Sequence, residues 1–467
     1  MAESESITLV SVDVAGVDVK CITSWNYLQE EPMTHKTKSN NINRDRTTMN
    51  NAPSALFRAS TLITVLLCTT AFVCSTAGAA DVYVNQTGWW YGGGAFNESG
   101  TPIQHAINNA TAGETIYVEG GSYNENIDVS TTSLTLQGEG ADVVNVTAMD
   151  SNDHVFEVTA DYTNISGFNV TGAAGSYRVG IYLGPRGDHC NISDNIVSNN
   201  DVGIHLYSSI DNTLQNNIAN SNDYGIFIDS SSNNTLVNNN ANSNSDGILV
   251  GSSSNNTLVN NTASNNHHGI VLISSSGNTL TNNSVSNNSL GIFLGSSSNN
   301  MLTNNTANSN NAGIALYYSS NNNTLAENTV NSNSGLYGAI QLCYSSDNNE
   351  ITCNWVYNNS QKGFYLNGRS IGNNISYNNI IANGDYIYNS QSADVDATNN
   401  WWGTKNNDTI NASIYDWHDD ATKGNVTYLP KLDGPTPCAP IPDLPTIILL
   451  MLGLLMLVGC VRIGRQM

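Results

Sequence analysis

Basic residues are scarce in this 467-residue sequence: 15 Lys and Arg stand against 38 Asp and Glu, a formal charge of -23. Eight of the fifteen lie before residue 81 or after residue 460, so the long middle of the chain holds seven. A chain of that sign repels phosphate backbones, which excludes nucleic acid as a partner. Charge of either sign is thin, at 11% of residues. Few groups are therefore available for a paired-carboxylate or cation-assisted catalytic centre. Cysteine is short as well. Between the leader that ends at residue 80 and the C-terminal apolar run, Cys190, Cys343, Cys353 and Cys438 are too few and too scattered for a disulfide scaffold.

Gly, Ser, Thr and above all Asn fill the space, with Asn at about a quarter of positions 201 to 350. Such a composition stays disordered unless a repeat organises it. A repeat is present. Gly-Ile recurs at Gly203, Gly225, Gly247, Gly269, Gly291 and Gly313, each 22 residues after the last. Leu214, Leu236, Leu258, Leu280 and Leu302 keep the same step, and so do Ala219, Ala241, Ala263, Val285 and Ala307. Three apolar columns per repeat predict three short strands, each burying alternate residues.

A 22-residue unit is too short for a helical-pair solenoid or a propeller blade, which leaves a parallel β-helix whose coils stack at about 4.8 Å. Ile226, Ile228, Leu236 and Ala241 are expected inward. Asn217, Asn239, Asn261, Asn283 and Asn305 fall one per coil at a corner, where Asn tolerates left-handed backbone and can ladder its amides. The same register turns Cys343 outward and Cys353 inward. Looser coils continue the pattern to Gly180 and Gly363. Thr101-Pro-Ile103-Gln-His-Ala106-Ile107 predicts a short helix plugging the first coil, and Trp401-Trp402 is suited to closing the last one or to stacking on sugar.

The ends carry address information. An apolar core at 61–74 followed by small residues in an Ala-x-Ala pattern is a secretory signal, and Met33 or Met49 makes a more ordinary start than Met1. A Pro-rich stretch leads into an apolar run from Ile447 to Val461, then Arg462 and Arg465. That run is short for a membrane span, and its charge places the arginines inside. The expected organisation is a leader at 1–80, a lead-in at 81–98, a β-helix at 99–400, and a cap at 401–430. A linker at 431–445, a transmembrane or sorting helix at 446–461 and a basic tip at 462–467 follow.

Two resemblances follow from these residues. The ending resembles the PEF-CTERM sorting signals of archaeal surface proteins, with Pro442-Asp443-Leu444-Pro445 replacing the expected Pro-Glu-Phe. It implies a sorting protease. The Ile-Gln-x-Ala-Ile opening, the Asn-Asn-Thr-Leu-x-Asn-Asn and Gly-Ile-x-Leu repeats and the closing Asn-Asn-Trp-Trp-Gly resemble the NosD-type right-handed parallel β-helix proteins. Those repeats occur in carbohydrate-binding proteins and sugar hydrolases, so the expected fold is all-β, a pectin-lyase-like solenoid.

Three classes of function are compatible with an exported β-helix. A surface protein with a structural, adhesive or carbohydrate-binding role needs a rigid rod, export and an anchor, and all three are present. It would meet cell-surface glycans or surface-layer proteins. A polysaccharide lyase, hydrolase or epimerase needs clustered acids and a base, and the early coils offer only Arg178, Arg186 and Asp188-His189, which suit a solvated loop. A copper-handling NosD-like protein needs grouped Met, His or Cys. No cofactor is required, although Asp246 lies one coil from His267 and His268, near enough to share a divalent metal. The middle residues of the Gly-Ile strands, Tyr182, His205, Phe227, Leu249, Val271 and Phe293, are expected to form an outward stripe open to a partner or glycan. Sequons at Asn85, Asn97, Asn145, Asn191, Asn233, Asn255, Asn282, Asn304 and Asn374 are glycosylation candidates.

Overall fold

The computed structural model describes residues 7–14, 17–25 and 81–439. The signal core, the sorting tail and the Ile447 to Val461 segment lie outside the described residues. Ile7–Val14 and Val17–Trp25 form a two-stranded sheet. Among the described residues no helix is long and apolar enough to cross a membrane.

Residues 81–439 coil into a parallel β-solenoid. One of its sheets stacks thirteen strands, from Ile127–Val129 to Ile414–Tyr415, and contains every Gly-Ile strand. Ile226 pairs with Ile248, Ile248 with Ile270 and Ile270 with Ile292, one coil apart. A second sheet stacks Leu214 on Leu236, Leu258 and Leu280. The third column is weaker than its periodicity predicts. It is a proper sheet around Val285, Ala307 and Val330, but between Ile196 and Ser284 it thins to single bridges. Ala219, Ala241 and Ala263 still point inward there, fully buried. Ile226, Ile228, Leu236 and Ala241 all show 0% exposure, so the predicted inward register is the observed one. Outside the regular block the coils lengthen, with Ile127 and Phe156 paired across 29 residues and Ile314 and Ile340 across 26.

The glycine before each Ile is required by the closeness of the coils. A Cβ on Gly247 would sit 2.6 Å from the Gly269 carbonyl oxygen and 2.6 Å from Asn266 Nδ2. Only hydrogen fits there.

Asparagine has two separate jobs at the corner. Asn238, Asn260, Asn282 and Asn304 take the left-handed backbone, with φ between 55 and 57°. Their neighbours Asn239, Asn261, Asn283 and Asn305 turn inward and ladder: Asn239 Nδ2 donates to Asn261 Oδ1 at 3.1 Å and to the Leu214 carbonyl at 2.9 Å. Three further ladders were hidden in the repeat. Asn234, Asn256 and Asn278 form one, Asn222, Asn244 and Asn266 another, and Ser231, Ser253 and Ser275 a third. Buried polar groups cost little when paired, and these columns pair nearly all of theirs.

Both ends are closed. The helix Pro102–Asn109 buries Ile103, Ala106 and Ile107, and the buried Glu125 carboxylate accepts from the Ile103 and Gln104 N–H groups at its N-terminus. At the other end Trp402 is fully buried against Tyr386, with ring centroids 5.8 Å apart, while Trp401 is half-buried. The indole of Trp402 therefore closes the core and offers no platform to sugar.

Cysteine departs from expectation. Cys353 bonds Cys438 across 85 residues, with Cα atoms 5.3 Å apart. Cys353 does not point inward, because it occupies the left-handed corner column at φ 60° while Asn354 takes the inward ladder place. From that corner its sulfur reaches the chain at 431–439, which Thr436 also ties down by donating its N–H to Asn379 Oδ1 at 2.9 Å.

Candidate functional site

The outward residues of the thirteen-stranded sheet form one continuous column with three zones. The middle zone holds the predicted stripe. Tyr182, His205, Phe227, Leu249, Val271 and Phe293 do stack in register. They are not open to solvent as the alternation implies: Leu249 is 9% exposed, Phe227 5% and Phe293 1%. Flanking glycines are part of the cause, since Phe227 leans within 3.5 Å of where a Gly251 Cβ would lie, and Phe293 within 2.9 Å of one on Gly295. The rings lie down on the sheet and cover it. His205 stacks flat on Phe227, centroids 4.6 Å apart at 3°. Burial, reinforced by His154, pushes the His205 pKa down to about 3.

The N-terminal zone is polar and was not recognised in the sequence. Glu157 pairs across strands with Asp128 on one side and Tyr182 on the other. His154 stacks on Tyr182 with centroids 4.6 Å apart. Burial and the nearby Arg178 cation push the His154 pKa down to about 4, so its ring is neutral at pH 7. Burial, then Asp128 and Asp153, raise the Glu157 pKa, while Arg178 opposes them. Arg178 thus joins this group rather than the expected cluster. Asp188 instead accepts from the Ile210 N–H, and His189 stacks on Tyr162 and lies 3.8 Å from Asp211. Arg186 is exposed. Asp128, Glu157 and Tyr182 are spaced irregularly, so a 22-residue period does not reveal their alignment.

The C-terminal zone is a field of tyrosines. Gln341, Tyr365, Tyr388 and Tyr415 continue the column. Tyr388 and Tyr415 stack at 4.2 Å, and Tyr318 and Tyr344 at 5.0 Å. Tyr337 leans on Tyr365 at 5.3 Å. Lys362 holds its ammonium 4.7 Å from the Tyr388 ring centroid. Burial lowers its pKa, with Asp385 opposing. Tyr344 is 44% and Tyr337 37% exposed.

The predicted metal residues pair rather than cluster. Asp246 Oδ1 lies 2.5 Å from His268 Nδ1, and His267 leans on His268 with centroids 4.2 Å apart. Burial and the adjacent His268 lower the His267 pKa. Among the described residues no group of three or more His, Cys, Asp or Glu could hold a metal ion. Of the sequon asparagines, Asn97, Asn233, Asn255, Asn282, Asn304 and Asn374 are exposed, whereas Asn85, Asn145 and Asn191 are half-buried. Asn374 donates to both oxygens of Glu350.

Residues 107–290 match the family profile described as "Periplasmic copper-binding protein (NosD)", and residues 264–402 match "Right handed beta helix region". The chain is a right-handed β-helix repeat protein. No curated protein matches this β-helix in sequence. Among solved structures it is similar to the AlgE6 A-module of Azotobacter vinelandii mannuronan C-5 epimerase. The identity is 17%, the TM-score 0.54, and the match covers 71% of this chain and 94% of that one. The AlgE4 A-module of the same organism matches at 18% identity and TM-score 0.51, over 61% and 90%. The catalytic domain of a GH87 alpha-1,3-glucanase with bound nigerose matches at 17% and 0.52, over 76% and 68%. These likenesses are of fold.

The donors of the β-helix that copper would need are scattered. Cys190 and Cys343 are buried singly, Cys353 and Cys438 are bonded to each other, and Met149 and Met301 stand on separate coils. His205 is sandwiched between Tyr182 and Phe227. Soft ligands do not converge anywhere among the described residues, and this donor set does not fit a copper centre.

Proposed function

We propose that this β-helix is an exported protein that binds polysaccharide along the outer face of its thirteen-stranded sheet, with the tyrosine field as the contact. The tyrosine field carries the reading: half-buried to exposed rings, among them the stacked pairs Tyr318–Tyr344 and Tyr388–Tyr415, offer flat apolar faces with hydroxyl rims, which suits the faces and hydroxyls of sugars. Export is supported by the apolar core and small-residue pattern before residue 81 and by the Cys353–Cys438 bond, since such bonds persist in oxidising compartments. The Ile447 to Val461 segment would hold the protein at the cell surface, through the membrane or a sorting protease, among glycans or surface-layer proteins. The purified protein should be retained on insoluble polysaccharide, and Tyr337→Ala/Tyr344→Ala/Tyr388→Ala should abolish retention without changing its circular dichroism. Retention unchanged in the folded triple variant defeats the reading.

A second reading rests on the N-terminal zone. Glu157, cross-strand from Tyr182 and with its carboxyl pKa raised, could abstract a proton and Tyr182 return one on a polysaccharide, as a lyase or epimerase requires, while His154, whose Nδ1 accepts the Val179 N–H, could offer only its Nε2 proton as a hydrogen-bond donor. Product release from polysaccharides, lost in Glu157→Gln, would establish it; binding without products leaves the first reading alone.

A further inference from the structure

A second aromatic surface lies far along the chain from the tyrosine field, on the outside of the first coils. Strand Val82–Asn85 sits between Gly88–Tyr91 and Thr115–Val118, which places Tyr83 directly beside Trp90 and beside Tyr117. The three rings stack in a row. Tyr83 is 5.8 Å from Trp90 at 18° and 5.6 Å from Tyr117 at 23°. All three are half-buried, so the row presents faces and edges to solvent. Next to it opens a groove of about 570 Å³ lined by Tyr83, Tyr117, Gln137, Glu119, Gly120 and Glu139. Glu119 and Glu139 are both exposed, and Glu139 Oε2 is held in place by the Gly120 N–H at 2.8 Å.

The charge around this groove has one sign. Residues 81 to 177 contain twelve Asp and Glu and neither Lys nor Arg. Cross-strand packing explains three stacked rings, but it does not explain carboxylates at their open edge with no Lys or Arg paired to them among the described residues. Aromatic faces attract cations through the ring quadrupole, and carboxylates add direct pairing. The same field repels polyuronates and other anionic polymers.

We infer that the Trp90, Tyr83 and Tyr117 row with Glu119 and Glu139 forms a binding site for a cationic amino-sugar chain, whose ring faces stack on the aromatics and whose ammonium groups meet the carboxylates. This site is separate from the tyrosine field and does not depend on it. Gln137, with an amide that both donates and accepts, is placed to meet sugar hydroxyls at the groove wall.

Titration calorimetry of the purified protein with glucosamine hexamer, its N-acetylated counterpart and a lysine hexapeptide tests the inference. The amine hexamer should bind, about 10-fold or more tighter than the N-acetylated form, and binding should weaken as salt rises. Glu119→Gln/Glu139→Gln, which keeps an acceptor for the Gly120 N–H, should erase that preference while the melting temperature holds. Tyr117→Ser should weaken both sugars. The tyrosine-field triple variant should bind the amine hexamer normally, which separates this site from the proposed polysaccharide contact. Equal affinity for the two hexamers, no binding, or a lysine peptide binding as tightly as the amine sugar overturns the assignment.

Discussion

Asn239 and Asn261 stand one coil apart, and both the backbone N–H and the side-chain amide of Asn239 donate to the same Asn261 oxygen, at 2.9 and 3.1 Å. The Asn261 amide meanwhile holds the Leu236 carbonyl at 3.0 Å. Asn261→Ala strands these buried groups, and each unsatisfied one costs about 1–3 kcal/mol. Urea denaturation should show a loss of several such units. Asn260→Gly, next door, should cost less than about 1 kcal/mol because glycine accepts φ 56° freely. Equal losses would show that the ladder is not what makes this corner demand asparagine.

The Gly-Ile column predicts a second contrast. Gly247→Ala forces a Cβ to within 2.6 Å of the Gly269 oxygen, so the coils must separate and the melting temperature should fall clearly. Gly100→Ala meets nothing within 4 Å and should leave it unchanged.

Stability should decline in mild acid. The folded His205 pKa of about 3 lies below the ordinary value of 6.5, so the unfolded chain takes up the proton first as pH falls. The stabilisation is complete above pH 6.5 and is lost progressively from there toward pH 3. At pH 5 the loss from this residue is about 2 kcal/mol. His205→Phe places there the residue that its own column has at Phe227 and Phe293, and should flatten the stability profile between pH 7 and 5. An unchanged profile would mean that His205 titrates alike in the folded and unfolded chain.

The Cys353–Cys438 bond closes a loop of 85 residues, which by chain entropy contributes about 4–5 kcal/mol. Reductant or Cys353→Ser should lower the melting temperature, while Cys190 and Cys343, both buried, should resist alkylation until the protein unfolds. Prompt alkylation of either in the folded state would contradict their burial.

Deletion of residues 446–467 should release the protein into the medium. Unchanged membrane retention would defeat the anchoring proposal.

The 22-residue step of Gly-Ile and Leu determined the coil, its inward face and the stacking of like on like, because a solenoid repeats its environment whenever it repeats its sequence. The capping helix was legible for the same reason, since Pro102, Ile103, Ala106 and Ile107 state their own geometry. Tertiary structure decided what periodicity could not carry. Exposure of the Phe227 and Phe293 column depended on rings folding over Gly251 and Gly295, which alternation alone does not register. Cys353 met Cys438 because a corner residue in one coil faces a segment 85 residues on, and no local pattern encodes that meeting. The candidate surfaces, His154 with Glu157 and Arg178, and Tyr365 with Tyr388 and Tyr415, lie where the coils lengthen unevenly. Their residues share a column only after each loop has taken up its own slack.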